Sequence, residues 1–383
     1  MILEYRLKAE DVRQQTIKIL MKSIPLQVNG YQCTTEMMFD ILIKASAESS
    51  SLDAACDDLE NVVEGNTVRD YWNAALKIED LSEQESQMNQ ALAESIPSSM
   101  KREGVEVAID FHDEPFYGKS PDLLAVTCRG MAKKGTTHFI RIASAYVIWR
   151  QVRLTLAVVY VLPDDQALDV LKRLLDRLKR LHFKAKVLYL DKGFASTAII
   201  GYLTEQRQPA IIACPIRGKV GGTRALCVGR KSYCTDYTFT DGTQANLALK
   251  ASLVPDKSGK RRRKWLAFIV IHLDWSPQKL YQQYRRRFGV ECSYRILRRV
   301  RATTTSRNPS MRFFLLGIGL VLVNAWAFLR WEFARLVAPG PRRVDPNRFR
   351  FHRFTRLLIR SIEAVYGTVM AIPTHVSPQI VIY

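Results

Sequence analysis

The feature that most constrains the fold is a succession of apolar strands and amphipathic helices between residues 105 and 215. Strands that alternate with helical patterns are typical of a sheet covered by helices. Two long β-rich runs joined by a turn at Arg150–Gln151 predict an antiparallel hairpin, and strand–helix–strand units predict parallel neighbours. The sequence therefore predicts a mixed α/β sheet flanked by helices. The predicted strands are Val105–Asp110, Thr137–Val147, Val152–Val161, Ala185–Leu190 and Ala210–Pro215, and the predicted helices are Asp164–Leu181 and Thr197–Gln206.

Two of these strands are each followed by an acidic residue. Asp110 ends the run VEVAID, and Asp191 follows KVLYL. Ligands of open α/β sheets bind beyond the carboxyl ends of the strands, and a charge left unpaired at a buried strand is costly. Each aspartate alone could instead be a turn or cap residue. As a pair, they predict a polar site at one edge of the sheet.

A third acid lies in the strongly basic segment Trp275–Arg301, which holds Glu291 among seven arginines. Ser276 is a predicted N-cap, and Gly289 predicts a kink or a break between two helices. On a continuous helix, spacings of three and four put several side chains on one face. These are Tyr284, Arg287, Glu291, Arg295 and Arg298. The alternative is a solvated basic helix with an ion-paired glutamate.

Charge is distributed unevenly along the chain, whose formal net charge is +20. Residues 1–100 hold 8 basic and 17 acidic residues, whereas residues 257–301 hold 14 basic and 2 acidic residues. Concentrated Lys and Arg favour a polyanionic partner, most often nucleic acid. An anionic membrane surface is the other partner that such charge could serve.

The seven cysteines form no CxxC pair and no zinc-ligand spacing, which indicates reduced cysteines of a cytosolic protein. The first residues, MILEYRLKAEDV, carry charges where the apolar core of a signal peptide would lie, so we expect no signal peptide. The one long apolar run is Phe313–Leu329, close to the minimum for a membrane span. Because it contains Asn324 and several small residues, we predict a buried helix that covers the sheet.

Outside the predicted sheet, the chain begins with helical patterns. Leu52–Leu59 and a helix capped by Asn66 or Thr67 and ending at Leu76 have the form of a helix-turn-helix, with Arg69 and Tyr71 exposed on the second helix. A helical bundle used for packing or subunit contact is an equal alternative, because this region is acidic. The predicted divisions are a helical domain 1–100, the first part of the core 101–216, a β-rich insertion 217–273, the second part of the core 274–338 and a basic tail 339–383.

The insertion is punctuated by glycines and carries a basic turn between residues 257 and 264. Its predicted strands are Ser232–Phe239, Ala245–Val254 and Trp265–His272. Predicted DNA contacts within it are Lys260, Arg261, Arg262, Arg263 and Lys264.

Three carboxylates that converge on one site would suit Mg²⁺ or Mn²⁺, which prefer oxygen ligands. The candidates are Asp110, Asp191 and Glu291. Two such ions can activate an attacking hydroxyl and stabilise the leaving oxygen of a phosphodiester. The surrounding arginines would then hold the DNA backbone. Asp113 and Glu114 are rivals for the first ligand position, although Pro115 favours a turn there.

These blocks together resemble a DDE transposase of the insertion-sequence class that carries the signature Tyr-x2-Arg-x3-Glu-x6-Lys. The chain supplies Tyr284, Arg287 and Glu291 at this spacing, with Arg298 in place of the final Lys. The acids lie in the blocks VAIDFHDEPFYG and LDKGF, and the β-rich insertion separates the second acid from the third. The resemblance covers residues 105–331.

The resemblance implies a ribonuclease H-like core with two Mg²⁺ or Mn²⁺ ions at the three acids. It implies metal-dependent cleavage at transposon ends, followed by strand transfer into target DNA. It also implies that Tyr284, Arg287 and Arg298 contact phosphates near the cut and that a Trp of the insertion, for which Trp265 is the candidate, stacks on a displaced base. The expected partners are terminal inverted repeats and target DNA, bound by a homodimer without a membrane, in the cytoplasm of a prokaryote.

Two other classes of function remain open from the sequence. A non-catalytic or domesticated DNA-binding protein would show the same charge asymmetry, with steep salt dependence and no metal-dependent cleavage. A membrane-associated protein would use Phe313–Leu329 and require detergent for extraction.

Overall fold

The sheet contains nine strands within the residues that the structure describes. In this computed structural model those residues are 6–28, 30–150, 152–218, 222–256, 259–336 and 339–371, and the side chains of Ile148, Val290, Glu291 and Cys292 lie outside the description. The strands are β1 (Val105–Phe116), β2 (Cys128–Lys133), β3 (Thr136–Trp149), β4 (Val152–Val161), β5 (Ala185–Leu190), β6 (Ala210–Cys214), β7 (Tyr233–Thr238), β8 (Gln244–Pro255) and β9 (Arg261–Ile271).

Five of these strands form the centre of the sheet in the order β4–β3–β1–β5–β6. The β1–β5 and β5–β6 pairs are parallel, and the β1–β3 and β3–β4 pairs are antiparallel. This confirms the predicted mixed, ribonuclease H-like sheet. The β3–β4 turn lies at Arg150 as predicted, with φ of 45°, and Gln151 lies outside the described residues.

The strands predicted for the insertion form, and they continue the same sheet. β9 pairs antiparallel with β6, and β8 and β7 follow it toward the edge. Among the insertion strands, the largest difference from the predicted bounds is in β9, which begins four residues earlier, at Arg261. The basic residues there pair with the end of β8, so they belong to a hairpin arm.

Helices cover both faces of the sheet. They are α1 (Ala9–Ser23), α2 (Thr35–Glu48), α3 (Leu52–Asp57), α4 (Gly65–Ala75), α5 (Leu81–Glu94), α6 (Pro121–Ala125), α7 (Ala167–Arg180), α8 (Thr197–Glu205), α9 (Gly222–Ala225), α10 (Pro277–Tyr284), α11 (Gly289–Leu297), α12 (Pro309–Phe333) and α13 (Phe351–Tyr366). Alternation along β1 sends Val107 and Ile109 to one core, with α7 and α8. Ala108 faces the other core, with α5, α10, α11 and α12.

The long apolar helix α12 is a core element, as predicted. By length and hydropathy it could span a membrane, but 83% of its most apolar window is buried inside the protein. Asn324 on this helix donates to the Thr155 carbonyl oxygen at 2.8 Å and accepts from the Thr155 amide at 2.9 Å. Asn89 of α5 makes the same two bonds with Val158. These two side-chain amides satisfy the backbone of Thr155 and Val158 on the edge of β4 that pairs with no strand among the described residues.

Helix capping follows the prediction for α10 and departs from it for α4. Ser196 caps α8 and Ser276 caps α10, each by accepting a backbone N–H of the first turn. The predicted cap of α4 at Asn66 or Thr67 is wrong, because the helix begins at Gly65. A Cβ at Gly65 would lie 2.7 Å from the Cα of Asp53, so glycine allows α3 and α4 to pack closely.

The α3–α4 pair forms, and its contacts are largely internal. Arg69 is exposed, as predicted, and forms an ion pair with Asp53 at 3.1 Å. Trp72 is buried between Phe39 and Phe314. Both the DNA-binding and the packing interpretation of this helix pair remain predictions.

Candidate active site

Asp110 and Asp191 occupy equivalent positions on neighbouring parallel strands. The pairing of β1 with β5 ends at Ile109 and Leu190, and each aspartate is the next residue. Because side chains alternate, both aspartates lie on the face of the sheet that α10, α11 and α12 cover. The predicted polar site at this position therefore has two neighbouring carboxylates.

One detail of the prediction is wrong, because β1 does not end at Asp110. It continues to Phe116, and Pro115 lies opposite Phe139 in the ladder rather than in a turn. β1 continues because β3 pairs with it along ten residues. The shorter strand β5 pairs with β1 only as far as Ile109. Asp110 thus lies where one of the two neighbouring strands ends.

Arg287 lies between the two carboxylates. Its Nη1 is 2.9 Å from Asp110 Oδ2, and its Nη2 is 3.4 Å from Asp191 Oδ1. The Arg287 side chain is only 9% exposed, compared with 14% for Asp110 and 33% for Asp191. The Nε of Arg287 is buried and has no hydrogen-bond partner among the described residues. Arg287 is therefore held mainly by electrostatic attraction to the two carboxylates, because its hydrogen bonds are incomplete.

The environment of Asp110 disfavours its charged form. Burial raises the pKa of Asp110 to about 6, the negative charge of Asp191 adds to this, and Arg287 opposes it. Near pH 7 the group is ionised but readily protonated. A divalent cation placed beside it would favour the carboxylate, as cations do.

Tyr284 anchors the end of α10 to the strand that bears Asp191. Its hydroxyl donates to the Leu190 carbonyl oxygen at 3.1 Å. Its ring lies 5.0 Å from the ring of Phe268, and the Arg287 guanidinium lies 5.6 Å from its centroid. Tyr284 is buried, so its contact in this structure is with the protein, and its predicted contact with DNA remains a prediction.

The third predicted acid, Glu291, belongs to α11, but its side chain lies outside the described part of the chain. The helix itself is well anchored beside the carboxylates. Tyr294 and Ser144 share a hydrogen bond of 2.6 Å between their hydroxyls, and the Tyr294 ring stacks on His112 at 4.4 Å. Among the described residues no group of three or more His, Cys, Asp or Glu could hold a metal. The two aspartates fit a hard cation by their oxygen donors, with the Arg287 guanidinium now between them.

The rival acids on β1 have cationic partners of their own. Arg141 Nε donates to Asp113 at 2.7 Å. Glu114 contacts His112 at 2.8 Å and Arg301 at 2.6 Å. Burial opposes ionisation of Glu114, but His112 and Arg301 outweigh it and lower its pKa to about 2. These acids are neutralised within the protein.

Sequence reasoning missed His112, Tyr294 and Arg301, which support the site from either side. The strand period of two would have placed His112 on the same face as Asp110. The spacing of three residues on a helix would have placed Tyr294 about one turn after Glu291. Nothing in the sequence pairs Arg301 with Glu114, because that contact joins residues far apart in the chain.

The five residues predicted to share one helical face do not do so. A 3₁₀ turn, Arg285–Phe288, separates α10 from α11, at the position where Gly289 predicted a break. Because a 3₁₀ turn has three residues per turn, the α-helical periodicity is interrupted. Tyr284 and Arg287 are buried, whereas Arg295 and Arg298 are exposed.

The predicted DNA contacts of the insertion lie mostly on the exposed start of β9. Lys260, Arg261, Arg262, Arg263 and Lys264 are exposed, and residues 257 and 258 lie outside the described residues. Arg262 pairs with Asp256 at 2.7 Å. Trp265 is half-buried, and its ring meets that of Tyr233 edge-on at 6.3 Å. The predicted stacking of Trp265 on a base would use the part of the ring that remains accessible.

Comparison with known proteins identifies a family and a similar fold. Residues 133–324, just over half of the chain, match the transposase DDE domain family. The fold is similar to that in the cryo-EM structure of the piggyBac transposase synaptic complex with hairpin DNA, with a TM-score of 0.58, 12% identity, and coverage of 94% of this chain and 78% of that chain. No curated protein matches the sequence. The family match begins after Asp110 and includes Asp191, Arg287 and Glu291, and the chain belongs to the transposase DDE domain family.

Proposed function

We propose that this protein is an active DNA transposase of the Tyr-Arg-Glu-Lys subclass, which cleaves transposon ends and transfers them into target DNA. The observation that carries the proposal is the juxtaposition of Asp110 and Asp191 at the end of the β1–β5 pairing, with Arg287 between them. Carboxylates from adjacent strands are suitable oxygen ligands for Mg²⁺ or Mn²⁺. The family membership supports the same class of chemistry.

In this proposal, Asp110, Asp191 and Glu291 hold two divalent ions. When bound, such ions activate a hydroxyl and stabilise the leaving oxygen in phosphodiester cleavage. Arg287 occupies the space between the aspartates and would leave it for a DNA phosphate, which its fork of N–H donors can bind in a bidentate manner. Tyr284 and Tyr294 position α10 and α11, the helices on either side of the 3₁₀ turn that carries Arg287.

The exposed arginines extend the contact with DNA in this proposal. Arg295 and Arg298 lie on the solvent side of α11 and at its end, where phosphates of a bound duplex can reach them. Arg298 stands where the signature has Lys, and its guanidinium can contact two oxygens at once. The basic arm at the start of β9 would bind a more distant part of the same DNA strand. A homodimer would hold the paired transposon ends, in the cytoplasm of a prokaryote.

Cleavage of a DNA fragment bearing the repeats that flank the gene tests the proposal. With Mg²⁺, Asp191→Asn is expected to lower the cleavage rate at least roughly 100-fold, equivalent to about 2.7 kcal/mol of barrier. The matched control is Asp113→Asn, since Asp113 is on the same strand as Asp110 but is neutralised by Arg141. Full activity of Asp191→Asn would refute the assignment. Equal loss in both variants would show that the effect is not specific to the proposed metal ligands.

A non-catalytic DNA-binding protein is the second candidate. One observation favours it: Arg287 already provides a counter-charge to both aspartates, so the fold does not require a metal there. Such a protein would bind DNA with strong salt dependence and show no Mg²⁺-dependent cleavage in the wild type. The wild-type reaction in the same assay therefore separates the two candidates.

A further inference from the structure

A cavity of about 530 Å³ lies beside the turn and helix that support the carboxylate pair. The 3₁₀ turn contributes Arg286 to it and α11 contributes Ile296, while β3, β4, α12 and the segment after α12 supply the other walls. This volume lies within the roughly 300–1,000 Å³ typical of small-molecule sites. The cavity is distinct from the carboxylate pair, since neither aspartate lines it.

Two guanidiniums in this cavity form no salt bridge within the part of the chain that the structure describes. Among the described residues neither Arg153 nor Arg330 forms a salt bridge with a carboxylate, whereas the third cavity arginine, Arg286, pairs with Glu106. Arg330 Nη2 makes one long bond, of 3.4 Å, to the Asp345 carbonyl oxygen. Its Nε is buried without a hydrogen-bond partner in the described structure. Buried donors of this kind are costly unless a ligand satisfies them.

The two guanidiniums also repel one another. Burial lowers the pKa of Arg330, the charge of Asp345 partly opposes this, and the positive charge of Arg153 lowers it further. An anion between Arg153 and Arg330 would relieve the repulsion and supply acceptors for both forks. The polar part of the cavity is therefore suited to a phosphate.

The remaining walls are apolar and aromatic. The guanidinium of Arg330 lies 5.2 Å from the centroid of the Trp326 ring. That ring is fixed by a bond from its Nε1 to the Phe349 carbonyl oxygen at 2.8 Å. Val323 and Val344 line the cavity beside it. A flat ring would find an apolar surface here that a bare phosphate would leave unused.

We propose that this cavity binds a nucleotide, with the phosphate at Arg153 and Arg330 and the base against Trp326 and the apolar wall. The nucleotide can come from two sources: a free nucleoside monophosphate or one unit of a bound DNA strand. The proposal goes beyond cleavage and needs no divalent ion. Because Arg286 and Ile296 border the cavity, an occupant would contact the same turn and helix that carry Arg287 and Glu291.

Calorimetric titration of the full chain in metal-free buffer tests this proposal. The probes are deoxyadenosine monophosphate, inorganic phosphate, and a short single-stranded oligonucleotide. Arg330→Gln and Arg153→Gln are each expected to weaken nucleotide binding about ten-fold, the loss expected for one bond to a charged group. The matched control is Arg180→Gln, an exposed arginine at the end of α7 that does not line the cavity. Arg153 is exposed, so its variant serves if the Arg330 variant does not fold.

Two results would support the proposal and three would overturn it. Binding of the monophosphate that both variants weaken and the control leaves unchanged supports a site for free nucleotides. Binding of the oligonucleotide alone, with the same pattern among variants, supports a nucleotide of bound DNA. The proposal is overturned if no probe binds, if the control weakens binding as much as the variants, or if inorganic phosphate binds as tightly as the monophosphate. Since no metal is present, these results do not depend on whether the protein cleaves DNA.

Discussion

Two buried arginines in this protein each bridge a pair of carboxylates, but they are bound very differently. Arg13 donates from Nε and Nη2 to both oxygens of Asp40, at 2.8 and 2.5 Å, and reaches Glu36 at 2.6 Å. Asp40 also accepts the hydroxyl of Tyr366, at 2.9 Å. Arg287, by contrast, contacts its two aspartates at 2.9 and 3.4 Å and leaves Nε without a partner among the described residues.

The difference separates a structural ion pair from an exchangeable one. The Arg13 cluster joins α1, α2 and α13, and its short bidentate geometry uses both oxygens of Asp40. The Arg287 cluster joins two strand ends to a turn and retains unused donors and acceptors. We infer that the first cluster holds the helices together, whereas the second can give up its contacts to a metal ion or a phosphate.

The largest expected effect on stability comes from Arg13→Met. This change leaves the fully buried Asp40 without its cation, and loss of one partner of a buried pair costs about 3–5 kcal/mol. Urea unfolding measures the free energy of unfolding. DNA cleavage per folded molecule is expected to remain unchanged. A loss below about 1 kcal/mol, the value typical of surface pairs, would contradict the structural role.

A similar but pH-dependent decrease in the free energy of unfolding is expected for Glu114→Gln. The pKa of Glu114 is lowered from 4.5 to about 2, which corresponds to about 3 kcal/mol of stability at neutral pH. A lowered carboxyl pKa stabilises the fold above the unfolded value, so the wild-type advantage is lost as pH falls from about 4.5 toward 2. Urea unfolding of both proteins between pH 7 and pH 2 measures this loss. A difference that stayed constant below pH 4.5 would assign the effect to packing.

Asp110→Asn is expected to have the opposite sign. The pKa of Asp110 is raised from 3.8 to about 6, so the protonated group favours the fold at low pH and this advantage is lost as pH rises through 6. The neutral amide avoids that loss and should raise stability by about 3 kcal/mol at pH 7 in metal-free buffer. The gain should disappear below about pH 4. Destabilisation at pH 7 would make this site resemble the Arg13 cluster.

The smallest stability effect is expected for Arg287→Met, at about 1 kcal/mol or less, because Asp110 can accept a proton when the guanidinium is lost. Binding of Mn²⁺ in the absence of DNA, followed by electron paramagnetic resonance, should tighten by roughly three- to ten-fold as the competing cation is removed. Cleavage should nevertheless fall, because the proposed phosphate contact is gone. Weaker Mn²⁺ binding would show that Arg287 supports the ion instead of competing with it.

Parts of the site were predictable because they depend on short-range patterns. The apolar runs before Asp110 and Asp191 gave the strands, and Ser276 and Gly289 gave the start of α10 and the break after it. The continuation of β1 beyond Asp110 was not predictable, because it depends on pairing with the distant strand β3. The position of Arg287 was missed for the same reason: its partners lie 96 or more residues away.

The sequence by itself determined the order of strands and helices, the location of the acids and the concentration of positive charge, since propensity, periodicity and composition act locally. Only the tertiary structure decided which charges meet. It neutralised Asp113 and Glu114 with Arg141 and Arg301, and it set Arg287 between Asp110 and Asp191. The physical reason is that the energy of a buried charge depends on neighbours brought together by the sheet and its helices, and sequence spacing does not reveal those neighbours.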